Sequence, residues 1–500
     1  MIIKKYIPNF CSHRNIAIIT FIIITLIATF AVFKIDNYQH PFKELLTLIY
    51  VITCGIISLI YYFKTKNLHR TAILIILLFG ILFVFISPIN AISDEQEHLI
   101  RSEMTSRGVL IPKFITQNNE SGFISINSTV SCPRYISIYE TTWDSNKINQ
   151  TPTMSDSCFE QNPFYMYIVS GIGIGLAKLL DLNNIWLLWL GRLCNLLMYA
   201  LFCGIAIKKS PMLKLPMTVV ACFPLAITQA ASVSCDCFIF CVSLLTFAYL
   251  FHMYKSKNLS KKNIAIFTLL VLVLSLSKVT FAALILLLFF IPKENYQNEK
   301  YFYLSFLSLA IVFGVILAWT KYFALDSLIH SWRRIIFEQK NVNATLQLNY
   351  MLNYPFEAII PFLQIGDQIP DLIYNMSKIY IKKNPFPLFD YFYSIFAIIF
   401  VILYPIKEKI SRKSKIINLL TLIVIFYGTY FVQYLSWAPV RATNLIEASV
   451  TPRYFLPLCV LLPLLSINRN KKIKELDSIT ITVIVASLSS IAMFAVAMFY

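Results

Sequence analysis

Apolar runs of about 20 residues recur along the whole chain, each long enough to cross a hydrocarbon layer of about 30 Å. They are continuous rather than alternating, so they read as lipid-facing helices and not as strands. Runs at residues 15–33, 45–63, 72–92, 185–207, 212–232, 236–254, 301–323, 388–406, 416–436, 454–467 and 478–499 each predict a span. The run at residues 264–291 is too long for one span and is interrupted by Ser275, Ser277 and Lys278. It predicts two short helices meeting at Lys278. The fold class is all-α, a single polytopic transmembrane helical bundle over residues 1–500 with about 13 spans.

Polar segments set the topology. The loop between the second and third runs carries Lys64, Lys66, His69 and Arg70. Basic loops stay on the cytoplasmic side, which places the N-terminus in and the C-terminus out. Two large loops then face outward, residues 93–162 and 324–387. In the first, the alternation around Ile124 and Ile126 predicts a short strand. Residues 163–180 start with aromatics and contain Gly171, Gly173 and Gly175, which predicts a close-packed interfacial or re-entrant helix. The first run follows Lys4, Lys5 and Arg14 but lacks a small-residue cleavage site, so it reads as an uncleaved anchor.

Composition agrees. Hydrophobic residues make up 58% and charged residues 14% of the 500, against about 25% charged in a soluble domain. The net charge of +18 lies mostly in short loops, where it sets topology and does not imply nucleic acid. Of the eleven cysteines, most sit in apolar runs and act as small hydrophobes. Cys132 and Cys158 fall in the first outer loop and would form a disulfide in an oxidising compartment. No cysteine spacing matches a zinc site.

Against this apolar background one polar run stands out. Asp94, Glu95, Glu97, His98 and Arg101 fall within eight residues at the end of the third run. Ionisable groups at a membrane boundary are costly and usually serve a function. An outer-face enzyme has no nucleotide supply, so its donor would be a sugar already activated on a membrane lipid. Moving that sugar requires a base for the acceptor hydroxyl and positive charge at the leaving phosphate. Asp94 is the leading base, with Glu95 or Glu97 assisting. His98 and Arg101 share its helical face and are candidate donor-phosphate contacts. Lys278, between two half-helices, and Arg453, at the start of a late span, are two more. Arg192 and Asn195 inside a span, and Asp236 at a helix start near Ser234, read mainly as structural, with Asp236 as an N-cap.

These residues resemble a family. The run from Ser93 to Arg101, with Gly108 and Pro112 after it, is similar to a signature of polytopic bacterial membrane proteins labelled only as a domain of unknown function and grouped with the C-type (GT-C) glycosyltransferases. The resemblance continues through Asn162-Pro163-Phe164-Tyr165-Met166-Tyr167, Gly191-Arg192-Leu193-Cys194-Asn195, Ala231 to Asp236, and Arg453-Tyr454-Phe455-Leu456-Pro457. It spans roughly residues 72–467. Ser93 and Gln96 replace two prolines of the signature, and Thr451-Pro452 replaces a Gln-Gly. The resemblance implies a GT-C helical bundle, a polyprenyl-phosphate sugar donor, and an acid in the first outer loop as base or metal ligand. That role transfers to Asp94 and less directly to Glu95. Some branches of the clan use a divalent metal, for which Asp94 and Glu95 would be the ligands, and others do not. Lys278 is similar to a lysine that other branches place at the donor phosphate, and Tyr454 enters with the Arg453 block.

The expected function is therefore a glycosyltransferase in the bacterial cytoplasmic membrane, its site facing outward. It would move a sugar from a polyprenyl phosphate to a cell-envelope glycan or glycolipid. A transporter or flippase for lipid-linked oligosaccharide would instead scatter charges through several spans and show inverted repeats. A polysaccharide polymerase, with a diphosphate-linked donor, is the third reading.

Overall fold

A computed structural model describes residues 12–35, 41–117, 120–134, 141–155, 159–160, 162–324, 338–376, 387–448, 450–466 and 476–496. The N-terminal helices are α1 (His13–Ile35), α2 (Pro41–Thr65) and α3 (Leu68–Ile86). Asn67 caps α3 by accepting a hydrogen bond from the Arg70 N–H at 3.2 Å. The third apolar run was expected to stay helical to residue 92, but α3 stops at Ile86. Ser87 precedes Pro88 and takes an extended conformation with ψ 125°, because a following proline ring disfavours the helical region. The chain then turns into α4 (Glu95–Ser106).

The long polar segment after α3 folds into strands β1 (Ile115–Gln117), β2 (Glu120–Ile126) and β3 (Pro152–Ser155). They form one antiparallel sheet in the order β1-β2-β3. The expected strand at Ile124 and Ile126 is the end of β2, and the bundle is mostly helical rather than purely so. Next come a 3-10 turn at Phe164–Tyr167, then α5 (Ile168–Leu179) and α6 (Ile185–Lys209). At 12 residues, α5 is about 18 Å long and too short to span by itself. It packs back on α6 at Gly173, where an added Cβ would lie 2.3 Å from the Leu190 carbonyl oxygen. That neighbour is backbone and cannot swing away. Gly173→Ala should therefore push the two helices apart and cost about 1–3 kcal/mol. Thermal unfolding in detergent reads the loss, and an unchanged midpoint would refute the packing argument.

The run at residues 212–232 does not form the expected span. It forms α7 (Lys214–Ala221) and α8 (Pro224–Ala230), both buried apart from Lys214. Pro224 has no N–H to continue α7, and Phe223 before it is extended. Then follow α9 (Asp236–Lys255) and α10 (Lys261–Ser277). Lys278 is extended, with φ −149° and ψ 104°, and a 3-10 helix at Val279–Leu288 continues beyond it. The expected two half-helices meeting at Lys278 are thus present. After α11 (Leu304–Trp319), the described part of the segment at residues 324–387 holds α12 (Ala344–Asn353), α13 (Pro355–Leu363) and α14 (Ile369–Asn375). They leave large apolar residues exposed, among them Phe356 at 88%. The chain closes with α15 (Pro387–Leu403), α16 (Arg412–Ser436), a 3-10 helix at Leu456–Leu465 and α17 (Leu476–Val496).

Among the described residues eight helices are long and apolar enough to cross a membrane, and four shorter apolar ones accompany them. The expected count of about 13 is not reached by full-length helices. Pro224 and Lys278 each divide one apolar run, and the run at 454–467 is a 3-10 helix containing Pro457 and Pro463. Outward-facing residues such as Ile27, Phe30 and Leu317 are exposed, as the lipid-facing surface of a membrane protein requires.

Candidate functional site

Beyond Asp94 the acidic run is inside the protein, not in water. Glu95, Glu97, His98, Arg101 and Glu103 on α4 are all buried. A buried carboxylate must be paired, and each acid of α4 has a basic partner from another part of the chain or the next turn. Glu95 accepts two hydrogen bonds from Arg192 of α6, at 2.8 and 2.7 Å, and a third from the Val233 N–H at 3.0 Å. The remaining N–H groups of Arg192 go to the carbonyls of Val84, Ser87 and Pro88. Arg192 therefore also satisfies the open carbonyls where α3 ends. Glu97 pairs with Arg134 at 2.9 Å. Glu103 meets Lys178 at 3.0 Å, Arg107 at 2.8 Å and the Ser125 hydroxyl at 3.0 Å.

His98 and Arg101, expected at a donor phosphate, have their donors taken within the protein. Arg101 bonds the carbonyls of Asn162, Val109 and Leu110 and the Thr105 hydroxyl. These contacts use all five guanidinium N–H groups. His98 stacks on Phe159 with centroids 4.5 Å apart, and its Nδ1 lies 2.8 Å from the Tyr167 hydroxyl. Asn162 donates to that same hydroxyl at 2.8 Å. The other ring nitrogen of His98, Nε2, lies 3.7 Å from Cys235 Sγ.

The structure brings a different set together at the end of the bundle where α3 and α10 finish and α9 begins. Asp94, in the left-handed conformation with φ 63°, pairs with Arg453 at 2.7 Å. Arg453 also pairs with Asp236 at 3.3 Å and bonds the Ser93 carbonyl and the Thr451 hydroxyl at 3.4 and 3.2 Å. Lys278 places its ammonium over the Tyr454 ring, whose other neighbour is the Arg453 guanidinium 5.5 Å from the ring centre. The side chains of Arg453 and Asp236 are each 8% exposed, whereas Asp94 is 31% exposed and is the open member. Asp236 is not the expected N-cap. Cys235 holds that position, the Asp236 N–H donates to Ser234 Oγ, and the carboxylate sits in the first turn facing Arg453. Sequence reading ranked Asp236 as structural. Its Ser-Cys-Asp setting at a helix start gave only a local capping signal, with nothing to indicate Arg453.

These residues do not fit a divalent metal. The guanidinium of Arg453 sits between the Asp94 and Asp236 carboxylates, and both Glu95 oxygens are engaged by Arg192. Among the described residues no three His, Cys, Asp or Glu side chains converge. Cys132 is free and buried, with Asn90 Nδ2 at 3.1 Å from its sulfur. Its expected partner Cys158 lies outside the described residues. What the cluster offers chemically is one partly exposed carboxylate beside two cations, an arrangement able to accept a proton and to attract an anion. A family model described as "Predicted membrane protein (DUF2142)" matches residues 77–462. No curated protein and no solved structure matches the chain.

Proposed function

We propose a function for a chain that belongs to the DUF2142 family of predicted membrane proteins: it is a glycosyltransferase of the GT-C kind, acting on the outer face of a bacterial cytoplasmic membrane. It moves a sugar from a polyprenyl-phosphate donor to a hydroxyl of an envelope glycan or glycolipid. The observation that carries the reading is the Asp94–Arg453–Asp236 ion cluster with Lys278 beside it. The ordered likeness of five sequence blocks to the GT-C-grouped family supports it.

In this reading Lys278 and Arg453 hold the donor phosphate. The arriving donor, a phosphodiester monoanion, competes with the two carboxylates for Arg453, and Asp94 is released toward the acceptor. The acceptor hydroxyl then attacks the anomeric carbon. Its proton passes to Asp94, the bond from carbon to phosphate oxygen breaks, and its electron pair leaves with the polyprenyl phosphate. Lys278 and Arg453 stabilise that departing charge, the place where fixed positive charge contributes most. Glu95, Arg192, His98 and Arg101 are positioning residues that hold α4 so that Asp94 projects from its start.

Asp94→Asn tests the reading, because the amide keeps the shape and removes the base. In nanodiscs with polyprenyl-phosphate sugars and extracted envelope glycan, wild type should release free lipid phosphate. The variant should be slower by about 10²–10⁴-fold, the usual contribution of a general base, with donor binding retained. Normal turnover by the variant would remove Asp94 from the mechanism. Movement of lipid-linked oligosaccharide across vesicles without any turnover would favour a flippase instead.

A further inference from the structure

The end of the bundle away from the ion cluster gathers a second set of cations. α10 begins there at Lys261 and reaches Lys278 only after 17 residues, about 25 Å away. Three lysines from separate parts of the chain converge on one aromatic run, Tyr301-Phe302-Tyr303, which ends a 3-10 turn (Glu299–Tyr303). Lys261 of α10 lies 5.3 Å from the Tyr301 ring centre. Lys293 lies 5.0 Å from the ring centres of both Phe302 and Tyr303 and donates to the Tyr303 hydroxyl at 3.3 Å. Lys413 of α16 lies 5.4 Å from the ring centre of Phe302. Hydrogen bonds tie the three segments together. The Leu259 N–H donates to the Asn295 carbonyl and the Leu259 carbonyl accepts from the Gln297 N–H, both at 2.9 Å. Ser414 Oγ donates to the Phe290 carbonyl at 2.8 Å.

Topology asks only that basic residues lie in such loops, not that they meet. Among the described residues none of the three lysines has a carboxylate partner, although Glu294 and Glu299 belong to the same segment and Glu408 pairs nearby with Lys255. An aromatic face attracts an ammonium but has no net charge to cancel it. Lys261 and Lys413 also stand in first turns that hold no acid, where the helix dipole repels a cation. The protein thus assembles three positive charges without an anion of its own. The adjoining surface is apolar: Tyr303, Phe306 and Leu307 are each more than half exposed, and the exposed face continues along α11 through Phe313 and Leu317. Converging cations at the end of a lipid-facing helix complement an anionic head on acyl chains. We infer that this corner is a headgroup site for an anionic phospholipid of the surrounding bilayer. Its phosphate lies among Lys261, Lys293 and Lys413, and an acyl chain follows α11. The site takes no part in glycosyl transfer and does not depend on that reading.

The full chain, purified in detergent and stripped of lipid, would be titrated with phosphatidylglycerol and with phosphatidylcholine of the same acyl chains. Native mass spectrometry would read the bound lipid. Phosphatidylglycerol should bind at least tenfold more tightly. Lys261→Gln, Lys293→Gln and Lys413→Gln should each weaken it about fivefold, the ratio equivalent to about 1 kcal/mol per lysine at an anionic surface. Lys208→Gln combined with Lys209→Gln, at exposed positions ending α6, should leave it unchanged. Lys261 and Lys413 are exposed, so their variants keep the fold, and the thermal midpoints of the lipid-free proteins check this. Equal binding of the two lipids would overturn the inference, as would an equal loss in the Lys208 and Lys209 variant, which would mean a diffuse field. Displacement of phosphatidylglycerol by the same concentration of glycerol 3-phosphate would also overturn it, in favour of a site for soluble phosphate.

Discussion

Arg453→Gln should reduce turnover of a polyprenyl-phosphate sugar by about 10²–10³-fold, the cost of removing one preorganised donor from a developing negative charge. Two effects act in the same direction. The leaving phosphate loses a cation, and Asp94 and Asp236 lose the guanidinium between them. Carboxylates left without a shared counter-ion raise each other's affinity for protons, so the base also becomes less available at neutral pH. Arg453→Lys should recover only part of the rate, because a single ammonium does not bridge two carboxylates as a planar fork does. Steady-state kinetics in nanodiscs, with folding checked by size-exclusion chromatography, would measure this. A folded glutamine variant within threefold of wild type would detach Arg453 from the chemistry.

Arg192→Leu should destabilise the protein by about 3–5 kcal/mol, the usual penalty for removing one partner of a buried ion pair. Both side chains are 0% exposed. The variant leaves the Glu95 carboxylate buried against apolar surroundings and strips hydrogen bonds from the Val84, Ser87 and Pro88 carbonyls. Replacing both members, as Arg192→Leu with Glu95→Leu, should recover much of the loss, since an apolar pair has no charge to desolvate. Thermal unfolding in detergent would compare the three proteins. A single variant as stable as wild type would mean that water reaches Glu95.

Much of this architecture could be read from the sequence because hydrocarbon thickness imposes a length that shows directly as apolar runs. The break at Lys278 was legible for the same reason, since a run of that length could not be one span. The break at Pro224 was equally visible, but the apolar character around it outweighed the missing N–H. The site was legible only by residue type. Asp94, Lys278 and Arg453 stood out because charge is scarce in this chain. Their neighbours did not, because partners such as Glu95 and Arg192 lie 97 residues apart, and Asp94 and Arg453 lie 359 apart. Local spacing put His98 and Arg101 on the Asp94 face, yet it carries no information about the carbonyls of Val109, Leu110 and Asn162 that hold Arg101. Exposure was misjudged in the same way, since a polar run after a span looks solvated until the loop that covers it has folded.

The wide separation of these ion partners bears on how the chain is made. Synthesis runs from the N-terminus, so Glu95 waits for Arg192 through the loop that carries the sheet, and Asp94 waits for Arg453 until most of the helices have entered the bilayer. During that interval the Asp94 carboxylate lacks its Arg453 partner, and a charge at the membrane boundary resists withdrawal into hydrocarbon. The early pair can fasten α3, α4 and α6 as a first assembly unit. The late pair can close only when the C-terminal helices arrive. A nascent chain stalled before residue 453 would therefore hold α4 in place while lacking the Asp94–Arg453 pair, a chemical difference by which membrane quality control could tell an unfinished protein from a finished one.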